Sequence, residues 1–323
     1  MKGGQVDLLL NRVVQRLGEL VVPRHSILGP DVAQALAPGK LFRPQLALRV
    51  SDALGLPEPV AASEAAVAVE LLHMSSLVHD DVMDDAPQRR GVPTVHTVAD
   101  PATAIAIGNL LLARAASVAA SLGVACTRTF AGALECLWEG QLMESAVRER
   151  NSRSNHGRYI ALKTAALMAA TCEMAALSQR ADERQSSRLA RFGHEVGMAF
   201  QVADDLLDHI GERAVLGKAV GTDTSRGIVS LGAWHALELR GETPETLSAQ
   251  EINSLAAEDE PVRHALKLVG AHLDGARRTL SGAGVDASAL WRHPRTQIAG
   301  MLIAGVREDR RELVHAEVAR WPE

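Results

Sequence analysis

The chain has 323 residues, 47% of them hydrophobic, and a formal net charge of −5, with four Trp, four Phe and one Tyr. That length supports one large core or two ordinary domains. The negative balance gives no global basic field, and no local basic patch with aromatic platforms is present, which excludes a nucleic-acid partner.

Ala and Leu dominate, and no proline occurs in residues 102–243. Proline breaks helix interiors, so this stretch predicts a series of long packed helices. The expected fold class is all-α, as a single domain over residues 1–323. The cysteines, Cys126, Cys136 and Cys172, have no C-x-x-C spacing and lie in apolar helical contexts. They predict small core residues in a reducing compartment, and hence a cytoplasmic protein.

In chain order, residues 1–20 carry polar positions within an apolar pattern, which predicts an amphipathic helix and no signal-peptide core. Residues 21–38, with Pro23, Gly29 and Pro30, predict an irregular connection. GKLFRP follows. Gly39 gives a flexible approach, Lys40 and Arg43 stand three apart, and Pro44 suits the first turn of a helix whose N-terminus favours anions.

Residues 67–96 read VAVELLHMSSLVHDDVMDDAPQRRGVPTVH. An apolar helical run meets four carboxylates within six positions. Helical spacing pairs Asp80 with Asp84 and Asp81 with Asp85. Like charges so placed need a cation, and a hard divalent ion such as Mg2+ with oxygen ligands supplies one. His73 lies two turns below Asp80 on the same face. Arg89 and Arg90 stand in a loop with Pro87, Gly91 and Pro93 that can fold back over the acidic mouth, and guanidinium groups bind phosphate oxygens.

The most apolar window, residues 101–126, contains Asn109 and Arg114, which favours a buried helix over a membrane span, and no transmembrane segment is expected. Helices are predicted over residues 102–122 and 127–147, the second with Gln141 and Glu144 at i, i+3. Residues 148–158, RERNSRSNHGR, predict a mobile loop. Residues 159–178 are helical, with Lys163 and Thr164 embedded among apolar residues. Residues 187–210 form another helix, and their end, GMAFQVADDLLD, places Gln201 before Asp204, Asp205 and Asp208. This second DD-x-x-D cluster, if it faces the first across a cavity, completes a cage for several Mg2+ ions and a diphosphate.

GERAVLGKAVGTDTSRG, with Lys218, Asp223 and Arg226, predicts a flexible flap beside that mouth. Beyond Ile228 the chain reads as helices interrupted by the polar residues 240–260 and by Pro294.

The ordered set GKLFRP, HMSSLVHDDVMDD with RRG, KT, FQVADDLLD and GKAVGTD resembles the trans-prenyl diphosphate synthase family, the polyprenyl synthetases. The resemblance covers residues 39–227. It implies an all-helical bundle around a central cavity, usually a homodimer, that condenses isopentenyl diphosphate with an allylic prenyl diphosphate by Mg2+-assisted ionisation, condensation and proton loss. It further implies Asp80, Asp84 and Asp204 as main Mg2+ ligands, with Asp81 and Asp208 supporting. Lys40, Arg43, His73 and Arg90 would hold isopentenyl diphosphate. Arg89, Lys163, Gln201 and Lys218 would contact the allylic diphosphate, with Thr164 at the reacting centre; Lys163, Thr164 and Gln201 form the catalytic set.

Three departures stand out: Ile228 where the family's flap carries a lysine, with Arg226 as the substitute; Asn109 where a Gly-Asp pair is usual; and SLGAW after the flap. In this family bulky aromatics one turn below the first aspartate stop chain growth. Ser75 and Ser76 are small here, which predicts a product longer than twenty carbons. The alternatives are a class I terpene cyclase, which commonly lines its cavity with aromatics, and a non-catalytic partner subunit of a heteromeric synthase.

Overall fold

A computed structural model describes residues 3–21, 29–149, 152–216 and 220–322. Helices account for nearly all of its regular structure, as the proline-free stretch requires. They are α1 (Gly3–Val21), α2 (Pro30–Ala35), α3 (Phe42–Ala53) and α4 (Pro59–Met83), followed by a two-stranded hairpin of β1 (Gln88–Arg89) and β2 (Val92–Pro93). Next come α5 (Val95–Val98), α6 (Pro101–Ser121), α7 (Val124–Glu149) and α8 (Arg153–Ile160). A π-helical turn, Ala161–Ala165, joins α8 to α9 (Ala166–Ser178). The remainder is α10 (Glu183–Ile210), α11 (Arg213–Leu216), α12 (Thr222–Ser225), α13 (Leu231–Arg240), α14 (Ala249–Ala256), α15 (Asp259–Leu280), α16 (Ala287–Gly305) and α17 (Arg311–Val318).

The chain divides into two compact units. The first takes in residues up to Leu134, with Ala170–Ala190 and Ala283–Asp286; the second comprises Glu135–Ala169, Arg191–Gly282 and Ala287 onward. The chain passes between them within α7, α9 and α10.

In the first unit α4 is the central element, with Ala65 to Val69 and Leu71 to Leu72 almost wholly buried. Pro59 opens it at a position where a missing N–H costs nothing. The preceding Glu58 amide, which α4 leaves unpaired, donates to Gln179 Oε1 at 2.9 Å, and Gln179 Nε2 returns a bond to Glu58 O at 3.0 Å. α6 packs along α4, started by Asp100, whose carboxylate accepts from the Thr103 amide at 2.9 Å. In the second unit α13 and α14 enclose a core of Val229, Ala233, Leu237, Ile252 and Ala256.

Several expectations change. Of the loop expected over residues 148–158, residues 148–149 complete α7, 150–151 lie outside the described residues, and 152–158 are not a loop: Ser152 caps α8 by accepting from the Asn155 amide, and the helix buries His156 and Ile160. The polar residues 240–260 hold α14, started by a reciprocal capping box between Ser248 and Glu251. Pro294 lies inside α16 and does not interrupt it. The connection after α1 includes α2, which buries Val32.

The apolar window on α6 is only half buried. Ala104, Ile107, Leu111 and Ala115 face inward, whereas Ile105 remains 46% exposed among outward-facing alanines. Arg114 donates to the Leu20 carbonyl near the end of α1, so its charge caps a helix C-terminus. By length and composition α4, α6 and the run from α8 through α9 are long and apolar enough to cross a membrane.

Candidate active site

The candidate residues fall into two groups, one in each unit. In the first unit, Asp80 and Asp81 occupy the last turn of α4, and Asp84 is its C-cap. A helix C-terminus carries partial negative charge, so three carboxylates there repel both each other and the helix dipole. The helix ends at Met83 and Asp85 turns into the left-handed region at φ 49°, so the expected Asp81 with Asp85 pairing does not form. Asp85 points to solvent, with His96 at 3.7 Å.

Asp81 instead receives Arg89. The β1–β2 hairpin, turned by Arg90 and Gly91 at φ 55° and 76°, carries the Arg89 Nε to 2.8 Å from Asp81 Oδ1. Burial raises the Asp81 pKa against the pull of Arg89. The loop thus folds back over the acidic mouth through a defined ion pair.

Arg43, Arg89, Arg90 and His73 come together. His73 is held neutral, well below its ordinary pKa, first by burial and then by the charges of Arg43, Arg90 and Arg89. Burial also lowers Arg43 to about 10, with Glu70 acting against the shift and Arg90 with it. Arg43 Nε is buried without a hydrogen-bond partner, and Glu70 beneath it is pushed toward its neutral form by burial. With Arg89 paired to Asp81, the Arg43 and Arg90 guanidiniums face the one buried Glu70 carboxyl, an excess of positive charge that suits a polyanion. Lys40 lies exposed before α3.

Gly39 contributes space. It lacks a left-handed backbone, but an added Cβ would overlap the Arg90 guanidinium. The flexible role read from sequence is therefore a close approach.

In the second unit, the π turn presents Lys163 and Thr164, a geometry frequent at functional sites. Gly140 of α7 and Gly197 of α10 press on it: a Cβ would stand 2.9 Å from the Lys163 amide nitrogen and 2.6 Å from Ala165 Cα, respectively. Lys163 Nζ donates to Glu144 Oε2 at 2.6 Å, with Tyr159 Oη on the same oxygen at 3.2 Å and Gln141 Nε2 at 3.4 Å. Burial and Glu144 push the Tyr159 pKa up, so the phenol remains a donor. Thr164 Oγ1 donates to Gln201 Oε1 at 2.6 Å.

Asp204 is half-buried. Asp205 accepts from Gln201 Nε2 at 2.8 Å and lies 3.0 Å from His156 Nε2. Asp208 is tied to the flap: Thr222 Oγ1 donates to one oxygen at 2.9 Å and the Asp223 amide to the other at 3.1 Å. The flap's second half is therefore anchored helix, and Lys218 lies outside the described residues. Sequence reasoning missed His156 and gave Glu144 no partner. Glu144 is 4% exposed, and the polar i, i+3 pair beside an apolar run was its signal.

Among the described residues no group of three His, Cys, Asp or Glu can hold a metal ion by itself. Mg2+ is commonly held by one or two carboxylates plus substrate phosphates, so hard oxygen donors such as Asp80 and Asp84 fit an ion that binds together with a diphosphate.

The profile of the polyprenyl synthetase family matches residues 28–269. This chain belongs to the polyprenyl synthetase family, and it is a prenyltransferase. It is 34% identical to a nonaprenyl diphosphate synthase of Mycobacterium tuberculosis over 73% of this chain and 70% of that protein. It is also 34% identical to heptaprenyl diphosphate synthase component 2 of Geobacillus stearothermophilus, over 84% of this chain and 89% of that one. A geranylgeranyl pyrophosphate synthase of Corynebacterium glutamicum, solved with calcium and isoprenyl diphosphate, superposes with a TM-score of 0.73 at 27% identity, covering 99% of this chain and 97% of that one. The polyprenyl synthetase fold thus spans both units.

Proposed function

We propose that this enzyme joins isopentenyl diphosphate to an allylic prenyl diphosphate, with Mg2+ as cofactor, and that residues 1–323 work as one domain. The observation that carries this reading is the convergence of Arg43, Arg89 and Arg90 on a neutral His73 beside the Asp80 to Asp84 carboxylates. A polyanion offsets that excess charge, and the carboxylates draw a divalent ion to the same place.

Bound Mg2+, held by Asp80, Asp84 and Asp204 and supported by Asp81 and Asp208, would neutralise charge developing on the departing pyrophosphate. Lys40, Arg43, His73 and Arg90 hold the diphosphate of isopentenyl diphosphate. Arg89, Lys163, Gln201 and Lys218 contact the allylic diphosphate. The allylic C–O bond breaks with its electron pair leaving on pyrophosphate. Thr164 and Gln201 line the cationic carbon, the double bond of isopentenyl diphosphate forms the new C–C bond, and a proton is lost to the pyrophosphate. No nucleophilic side chain takes part.

The names of the nonaprenyl and heptaprenyl relatives, together with the small, half-buried Ser76, support a product longer than twenty carbons. Incubation with isopentenyl diphosphate and allylic primers of increasing length, with and without Mg2+, tests this by mass measurement of the hydrolysed products. Metal-dependent elongation is expected. Absence of product from every primer would overturn the assignment.

The half-exposed apolar face of α6 supports a homodimer, since a helix apolar on both sides needs cover on both. Sedimentation of the purified chain distinguishes it from a monomer. A second reading, favoured by the "component 2" in a relative's name, is that turnover needs a different partner subunit. A homodimer that elongates a primer unaided would exclude that reading. The three cysteines are free, in keeping with a cytoplasmic location.

A further inference from the structure

We propose that His156 is a positioning residue for prenyl transfer, fixing the Asp205 carboxylate so that it orients the Gln201 amide and, through that amide, the Thr164 hydroxyl. The inference rests on the reading of Gln201 and Thr164 as groups lining the reacting centre.

Four side chains from α8, the π turn and α10 make one hydrogen-bonded run. His156 Nε2, on α8, lies 3.0 Å from Asp205 Oδ2. The other oxygen, Oδ1, accepts from Gln201 Nε2 at 2.8 Å, and Gln201 Oε1 accepts from Thr164 Oγ1 at 2.6 Å. His156 is 1% exposed and Asp205 7%, so water does not compete for the bond between them.

A primary amide has distinct ends, and its last bond rotates over a broad range, so an unconstrained glutamine presents either oxygen or nitrogen to a ligand. Here the two bonds leave Gln201 one arrangement, nitrogen toward Asp205 and oxygen toward Thr164. The arrangement holds only while the Asp205 carboxylate keeps its rotation. Gln201 grips one oxygen, and without a partner the other would allow the group to swing. His156 supplies that partner from a different helix.

The backbone is shaped for the same run. The π turn offsets Thr164 from regular helical spacing, and Gly197 lets α10 approach Ala165 closely enough for the Thr164 to Gln201 bond to form. Both Asp205 oxygens are thereby engaged by protein, which gives the middle carboxylate of the second cluster a role different from that of Asp204.

The test compares His156→Phe, which keeps a flat ring and removes the donor, with His156→Gln, whose amide nitrogen restores a donor near the Nε2 position. Steady-state kinetics are expected to show kcat of the Phe variant lowered on the order of 10–100-fold, the scale of a small misplacement at a reacting centre. KM for isopentenyl diphosphate should be unchanged, and His156→Gln should recover most of the loss. Asp205→Asn supplies a second route, with the same kcat defect and no additivity with His156→Phe. Near-native kcat in a folded His156→Phe protein would overturn the proposal, as would a His156→Gln variant as slow as the Phe variant. A wild-type protein that elongates no primer would instead remove the reading on which it rests.

Discussion

The Arg90 guanidinium lies where a Gly39 side chain would be: a Cβ built on Gly39 would come within 2.5 Å of Arg90 Cζ and 2.6 Å of Nη2. Any substitution at Gly39 must therefore displace the arginine. Gly39→Ala is expected to raise KM for isopentenyl diphosphate about tenfold, the loss of one hydrogen bond to a charged group of roughly 1.5 kcal/mol, with little change in kcat. Gly29→Ala serves as the control, because nothing lies within 4 Å of its added Cβ. Equal KM values for the two variants would show that Arg90 does not contact the substrate.

The aspartates of the two clusters should separate into two kinds. Asp80→Ala and Asp204→Ala remove half-buried carboxylates and are expected to lower kcat by on the order of 10²–10³-fold with helicity and melting temperature retained. Asp208→Ala removes a buried carboxylate that accepts from the half-buried Asp223 amide and Thr222 hydroxyl, which should cost about 1 kcal/mol of stability. Thermal denaturation followed by circular dichroism, alongside turnover, distinguishes them. Full activity in Asp80→Ala or Asp204→Ala would contradict the proposed Mg2+ ligands.

Much of this was legible in the sequence because periodicity is local. The apolar runs ending in Asp80 and in Asp208 read directly as helices, and the aspartate spacing marked the carboxylates. Partnerships across long separations were not legible: Glu144 meets Lys163 19 positions later, and His156 meets Asp205 49 positions later. Composition misled at residues 152–158, where polar residues suggested a loop although Ser152 is a good cap. It misled again before α14, where the S-x-x-E signature at Ser248 and Glu251 was available. The Asp81 with Asp85 pairing failed because one left-handed residue ends helical spacing, and φ cannot be read from an aspartate.

His73 makes a pH prediction. Its folded pKa lies below the unfolded value of about 6.5, so below that pH the unfolded chain binds a proton that the folded protein refuses. Its contribution therefore makes stability fall as pH drops from about 6.5, by up to about 1.4 kcal/mol per pH unit, and leaves it level above. Glu70, whose folded pKa is raised, acts in the opposite direction, so the comparison is with His73→Asn, which retains Glu70. Urea denaturation from pH 7.5 to 5.5 should show the wild type losing more stability than the variant. Parallel curves would mean that His73 charges freely in the folded protein.

Product length is best tested at Ser76 rather than at Ser75. Ser75 is 1% exposed and its hydroxyl donates to Gly108 O of α6 at 2.8 Å, where the His79 ring also packs against Gly108. A phenylalanine at 75 would have to part α4 from α6, and such overpacking typically costs about 1–3 kcal/mol. Ser76 is half-buried and, among the described residues, its hydroxyl donates only within its own helix, to His73 O at 2.8 Å, so an aromatic ring there, one turn below Asp80, gives up one local hydrogen bond and none to α6. Ser76→Phe is expected to retain the melting temperature and shorten the product, read by mass from a common primer, whereas Ser75→Phe should lower the melting temperature first. If Ser76→Phe and wild type release products of equal length, the growing chain does not pass that face of α4, and its limit must be set by another element.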